Sequence, residues 1–196
     1  MSRRKQKREE FIGGKQRYRG PNRVVITVFA LIAVVGVSWF VYLTRDTAAL
    51  PNRYEGGNYN VGSTPDYKGK SISMTDIENK VQDGQIILSL EKIEEGHIIF
   101  TEYKNGGERK GITAFVTPAG RLRVSMAMCE PCRSERFHIE GVELVCETCG
   151  TRWLLNDLKG VSGGCIKYPP EELPYEVHDG SVYVPENIVS NWQARI

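Results

Sequence analysis

From Val24 to Leu43 (VVITVFALIAVVGVSWFVYL) the chain is almost wholly apolar, 20 residues without a charged side chain. At about 1.5 Å of rise per residue such a helix spans about 30 Å, the thickness of a bilayer's hydrocarbon core. A buried core helix would carry a polar face, and this stretch has none. A cleaved signal peptide has a shorter apolar region, about 7–15 residues, with a small-x-small cleavage site after it. Thr47-Ala48-Ala49 offers such a site, but the length of the run favours an uncleaved anchor. Trp39 and Tyr42 lie near its far end, where amphipathic rings favour the headgroup zone.

Beyond the run the pattern changes. Residues 44–70 are rich in Gly, Asn, Pro, Tyr and Ser and show no apolar period, so they read as a linker. Ser73-Met74-Thr75-Asp76 has the form of a helix start, predicting a short helix to about Gln82. From Gly84 the period becomes two, with Ile86, Leu88 and Leu90 alternating with Gln85, Ile87 and Ser89. Further strands are predicted at His97–Tyr103, Ile112–Thr117, Arg121–Met128, Val142–Val145 and Thr151–Leu155, with turns at Asn105-Gly106-Gly107 and Pro118-Ala119-Gly120. Tyr175–His178 and Ser181–Val184, joined by Asp179-Gly180, predict a hairpin. Pro185 opens a terminal helical turn. Many short strands with glycine turns indicate a mainly β fold, a small sandwich or barrel.

Charge adds an orientation. Residues 1–23 carry nine basic side chains and only Glu9 and Glu10 as acids, a net +7. With +2 for the whole chain, the other 173 residues sum to −5. The basic end stays cytoplasmic, and the chain beyond Leu43 is placed outside. Contact of the basic end with anionic lipid is the alternative to an irregular topology signal. The acidic remainder argues against a nucleic-acid partner. The expected organisation is a basic tail (1–23), a membrane helix (24–43), a linker (44–70) and an extracytoplasmic cysteine-rich β domain (71–196).

Five cysteines carry the candidate chemistry. Cys129-Glu-Pro-Cys132 is succeeded after thirteen residues by Cys146-Glu-Thr-Cys149-Gly150. A Cys-x-x-Cys loop points two thiolates at one centre, and two such loops close a tetrahedral set. The spacing specifies a metal without saying which. Structural disulfides are the alternative outside the cytoplasm, although five is an odd number and disulfides prefer longer loops. A thioredoxin-like pair needs a βαβ setting, which the pattern lacks. Haem attachment needs a histidine after the pair, and Arg133 and Gly150 stand there. The fifth thiol, Cys165, ends the run Ser162-Gly163-Gly164, whose glycines allow close backbone approach. It could be a fifth ligand, a replacement for one of the four, a bridge to a second metal, or a small buried core residue.

Two resemblances attach to these residues. Ile139–Trp153, with Cys146 and Cys149, is similar to the second cluster loop of the Rieske domain, and Leu173–Val184 to its last hairpin. Where Rieske proteins place histidines on a [2Fe–2S] cluster, this chain has Cys132 and Cys149. A closer resemblance, over about residues 84–190, is to the membrane iron–sulfur-containing FtrD-like family. It rests on Gly96-His-Ile-Ile-Phe100, Cys129-x-x-Cys132, Val145-Cys-x-x-Cys-Gly150, Gly163-Gly164-Cys165 and Leu173-Pro174-Tyr175. It implies an Fe–S or other metal centre, sometimes beside iron-uptake machinery, and favours a functional Cys165. The chain departs from the family in having Ile166-Lys167-Tyr168-Pro169 after that cysteine, where Asn-Pro is expected, and one span where several are common.

The remaining candidates weigh less. Met126 and Met128 would suit Cu(I), but with Val124 they share one strand face and read as core. His97, His138 and His178 read as structural, and no nucleophile triad, phosphate loop or carboxylate pair stands out. The expectation is a membrane-anchored protein rather than a stand-alone enzyme. Cys129, Cys132, Cys146 and Cys149, with Cys165 as a further metal ligand, hold an Fe–S cluster or iron for electron transfer beside a membrane redox or metal-transport partner. The alternatives are a closed zinc or copper module and a metal-free, disulfide-stapled adaptor.

Overall fold

The computed structural model describes residues 3–13, 22–43 and 49–196, and the chain divides into two units, Met1–Asp46 and Thr47–Ile196. Lys15, Arg17 and Arg19 of the basic segment, the side chain of Tyr42, and Thr47-Ala48 of the cleavage candidate lie outside the described residues.

Among its described residues the first unit contains two helices, α1 (Arg3–Gly13) and α2 (Arg23–Leu43). The large apolar side chains from Val24 to Val37 are all exposed. Such a surface needs an apolar solvent, and α2 is the one helix among the described residues long and apolar enough to cross a membrane. The segment of α1, expected to be irregular, is helical because it is built largely of Arg, Lys, Gln and Glu, which lose little on entering a helix.

The second unit is mainly β. Strands β1 (Ser71–Ser73), β2 (Thr75–Asp76), β3 (Lys80–Gln82) and β4 (Gln85–Ser89) lead to a short helix, α3 (Leu90–Gly96). Next come β5 (Ile98–Asn105), β6 (Glu108–Val116) and β7 (Leu122–Met126). After them stand β8 (Phe137–Glu140), β9 (Glu143–Cys146), β10 (Arg152–Leu154) and β11 (Gly160–Ser162). A hairpin of β12 (Glu176–His178) and β13 (Ser181–Pro185) ends at α4 (Glu186–Ser190). Three sheets result, ordered β2-β5-β6-β7, β1-β8-β9-β10-β11 and β12-β13-β4-β3.

The sheet β2-β5-β6-β7 feeds two cores. Ile99, Tyr103, Ile112, Ala114 and Val116 join Ile86, Leu88, Val182 and Val184 in the first core. Ile98 and Phe115, on the opposite face, join Phe137, Ile139, Leu144 and Trp153 in the second. Both faces are covered, so β7 is buried along its whole length rather than alternating. At Asp179-Gly180 both residues have positive φ (50° and 69°), the backbone a two-residue hairpin demands.

Two expectations give way to long-range contacts. The helix predicted over 73–82 is replaced by β1, β2 and β3. β1 pairs antiparallel with β8, and β2 pairs parallel with β5. β3 pairs antiparallel with β4. Open edges of three sheets need partners, and that demand overrides a local capping signature. The free linker predicted over 44–70 lies, over 49–70, against the domain. Tyr67 is buried and donates to the Val116 carbonyl at 2.8 Å. The Leu50 N–H reaches the Lys167 carbonyl and the Val61 N–H that of Gly120. Gly57 lies so close under the Tyr175 ring that a Cβ would stand 2.4 Å from it. No period is visible there because the segment satisfies its backbone on loops instead of on itself.

Arg53 fixes this segment through Glu171, which is fully buried and accepts Arg53 Nε at 2.9 Å, Arg53 Nη2 at 2.5 Å and Trp192 Nε1 at 2.7 Å. Burial resists ionisation of Glu171, but hydrogen bonds from Arg53 and Trp192 outweigh it and hold the carboxyl below its ordinary value.

A chain starting at residue 71 therefore unfolds at lower temperature than one starting at 49, as thermal melts monitored by circular dichroism will register. The Glu171 carboxyl carries a pH dependence as well. A depressed folded-state pKa gives stability that is complete above the ordinary Glu value of about 4.3 and fades as pH falls below it. Glu171→Gln flattens that acid limb, and Arg53→Ala costs about 1–3 kcal/mol at neutral pH in urea titrations.

Candidate metal centre

The two Cys-x-x-Cys segments adopt the same backbone form. In the first, which comes after β7, the Arg133 N–H bonds to the Cys129 carbonyl and the Cys129 N–H to the Ser134 carbonyl, both at 2.8 Å. In the second, which comes after β9, the Gly150 N–H bonds to the Cys146 carbonyl and the Cys146 N–H to the Thr151 carbonyl, both at 2.9 Å. Each loop closes after its second cysteine on a residue with positive φ, Arg133 (59°) and Gly150 (66°). Glycine adopts that conformation without penalty; arginine does so at a cost of about 1–2 kcal/mol.

Cys165 arrives from a third segment, the turn after β11. Gly163 (φ 109°) passes Thr151 so closely that a Cβ would meet the Thr151 hydroxyl oxygen at 2.5 Å, whereas Gly164 faces open space. Thr151, fully buried, accepts the Cys165 N–H at 3.2 Å and lies 3.2 Å from the Cys149 sulfur. Trp153 Nε1 ties the same turn down through the Ile166 carbonyl.

All five cysteines are free and converge at the margin of the second core. Sulfur–sulfur distances are 3.9 Å for Cys129–Cys149, 3.6 Å for Cys132–Cys146 and 3.8 Å for Cys149–Cys165. These far exceed a disulfide bond of about 2.05 Å, so no staple joins them. Four tetrahedral sulfurs each about 2.3 Å from a metal stand about 3.8 Å apart, which is the spacing found. The sulfurs of Cys129, Cys132, Cys149 and Cys165 all lie within 4.8 Å of one another. Cys129, Cys146 and Cys165 are buried, Cys132 is half-buried and Cys149 is exposed, so the set is rooted in the core and opens at one corner. A donor set of sulfur alone fits iron, an iron–sulfur cluster, zinc or Cu(I), and does not fit calcium or magnesium.

Proton sharing is uneven. The hydrogen bond from Cys129 lowers the Cys146 thiol to about 4, while Cys129, which keeps that proton and is buried, is pushed well up. Burial pushes Cys132 up to about 11. Burial resists ionisation of Cys149, but the Thr151 hydroxyl and backbone outweigh it and lower the thiol.

Two residues unmarked in the sequence clamp the loops. Glu130, between the first pair of cysteines, is buried to 1% exposure and receives the Arg195 backbone N–H and its Nε. Arg195 Nη2 continues to the Pro169 carbonyl at 2.8 Å. One side chain near the C-terminus thus ties the first cysteine loop to the segment after Cys165. The partners of Arg195 lie 65 and 26 residues away in sequence, and only the pairing of the lone acid inside the first loop with this arginine could have hinted at it.

The other candidates fall elsewhere. Met126 and Met128 pack on the first core, on which the cysteines do not border. His97 caps α3 and meets the Tyr67 ring edge-on at 5.5 Å. His178 stacks on Tyr183 at 3.8 Å. His138 bonds Glu147 at 2.8 Å, beside the second loop but outside the sulfur set.

A family profile described as "Membrane iron-sulfur containing protein FtrD-like" matches residues 93–196. That span holds all five cysteines together with Glu130 and Arg195. No curated protein sequence matches the chain.

Arg195→Ala strands the buried Glu130 carboxylate and destabilises the domain by about 3–5 kcal/mol in urea titrations. The double change Glu130→Gln with Arg195→Met recovers most of that loss, because the unpaired charge is gone. A single variant as stable as the parent would show the clamp to be idle.

Proposed function

Because the chain belongs to the FtrD-like family of membrane iron–sulfur-containing proteins, we propose that it is a membrane-anchored electron-transfer protein whose cysteines hold iron or an iron–sulfur cluster. The observation that carries this reading is the convergence of five free thiols, three of them buried, on one corner of an apolar core. Cys129, Cys132, Cys146 and Cys149, from the two Cys-x-x-Cys loops, supply thiolates, and Cys165 adds a fifth. The bound group would supply a one-electron couple. The protein's own part is to keep its surroundings apolar on the side of Phe137 and Trp153 and to leave the exposed Cys149 facing a partner. A site closed by four thiolates has no open position for Lewis-acid catalysis, which argues for a carrier and against a hydrolase.

Orientation completes the reading. The +7 segment of residues 1–23 is held on the cytoplasmic side and the β domain stands outside, where a membrane redox or metal-transport protein is its partner. Thiolate ligands in place of histidines favour the oxidised state, so the potential lies below the Rieske range of about −150 to +300 mV.

A second reading, a closed zinc or copper module, draws on the compact spacing, since four sulfurs within 4.8 Å of one another suit a single ion. Metal analysis with visible absorption on the full chain, purified without oxygen, separates the two. Iron with charge-transfer bands, and with sulfide if a cluster is present, supports the redox carrier and leads to potentiometry. A colourless protein with one zinc or copper per chain overturns it in favour of the second reading.

A further inference from the structure

A tetrahedral thiolate site needs four sulfurs, and this one gathers five. The surplus thiol is no bystander. A buried cysteine acting as a small apolar residue would face carbon, yet the Cys165 sulfur lies 3.8 Å from that of Cys149 and within 4.8 Å of those of Cys129 and Cys132. Cys146 is no less engaged. Its sulfur is 3.6 Å from that of Cys132, and it exchanges hydrogen bonds with Cys129 and Cys149. It is nevertheless not part of the set of four within 4.8 Å of one another. Cys129, Cys132 and Cys149 thus neighbour two further thiols: Cys165 completes their set of four, and Cys146 touches Cys132 at 3.6 Å and hydrogen-bonds with Cys129 and Cys149.

The two outer thiols are carried by separate elements. Cys146 ends β9, whereas Cys165 sits in the turn after β11. Thr151 stands at the junction, accepting the Cys165 N–H and touching the Cys149 sulfur.

We propose that Cys146 and Cys165 are alternative fourth ligands to a single ion held throughout by Cys129, Cys132 and Cys149. This rests on the reading that the thiols hold metal. Exchange is balanced: the incoming thiol loses its proton and forms a metal–sulfur bond as the bond to the other breaks, and the departing thiolate takes up a proton. Charge and oxidation state are unchanged. An ion held in this way can shift from one corner to the other without ever dropping below three protein ligands, which suits a site that must be loaded or unloaded.

The test uses the full chain, reduced and oxygen-free in detergent, titrated with Co²⁺ against a competing chelator. Cys146→Ser and Cys165→Ser each keep the intense thiolate-to-Co²⁺ bands of a four-sulfur site and lose less than about tenfold in affinity, because the other outer thiol fills the corner. Cys132→Ser, which loses one of the three constant ligands, and the double variant Cys146→Ser/Cys165→Ser, left with three thiols, lose about a hundredfold or more. If either outer single variant falls as far as Cys132→Ser, its cysteine is a fixed ligand and the alternation is overturned, while the metal-centre reading stands. A wild-type chain that binds no Co²⁺ overturns both. A measurement free of variants guards against misfolding: in the wild-type chain loaded with one ¹¹³Cd²⁺, couplings reach the β-protons of both Cys146 and Cys165. Coupling to only one of the two overturns the proposal.

Discussion

Apolar side chains on both faces of the sheet β2-β5-β6-β7 set the terms for the rest of the domain. One face is covered by the hairpin β12-β13 with β4, and by α3. The other is covered by the sheet that carries the second cysteine loop. The first cysteine loop leaves the end of β7, the last strand of the doubly buried sheet, and the second leaves β9 in the covering sheet. The thiols meet because the second core brings those two layers together.

Buried charges then lock the chain ends around this layering. Glu171 holds Arg53 and Trp192, and Glu130 holds Arg195. Arg123, only 3% exposed, pairs with Glu172 at 2.5 Å. Breaking such pairs one-sidedly is expensive, whereas their net contribution to stability is small. Their effect here is on placement. The segment 49–70 and the C-terminal residues, both irregular in their own conformation, are each tied at a defined point next to a cysteine-bearing turn.

The centre itself combines strain and electrostatics. Two loops of identical hydrogen-bond pattern present paired thiols, and one of them accepts arginine in a left-handed conformation to do so. Thiolates crowd one another, and the crowding divides the protons unequally, with Cys146 and Cys149 favoured as anions and Cys129 and Cys132 as thiols. A soft cation relieves that repulsion for all of them at once, which is the physical reason a bare cluster of cysteines belongs to metal chemistry.

Local signals in the sequence determined a good deal. The apolar run of α2, the alternation in β4 and the turn at Asp179-Gly180 each depend on neighbours within a few residues, and all reappear in the structure. So does the assignment of Val124, Met126 and Met128 to a core face. Tertiary structure alone decided the rest. The segment 71–82 supplied strands because each of the three sheets had an open edge. The segment 49–70 docked because Tyr67, Gly57 and Arg53 found partners at Val116, Tyr175 and Glu171. Cys165 entered the sulfur set through a glycine passing Thr151, and Glu130 found Arg195 across 65 residues. Periodicity reports how a residue relates to its sequence neighbours; which distant group will satisfy a buried charge, a bare edge or a fifth thiol is fixed only when the layers pack.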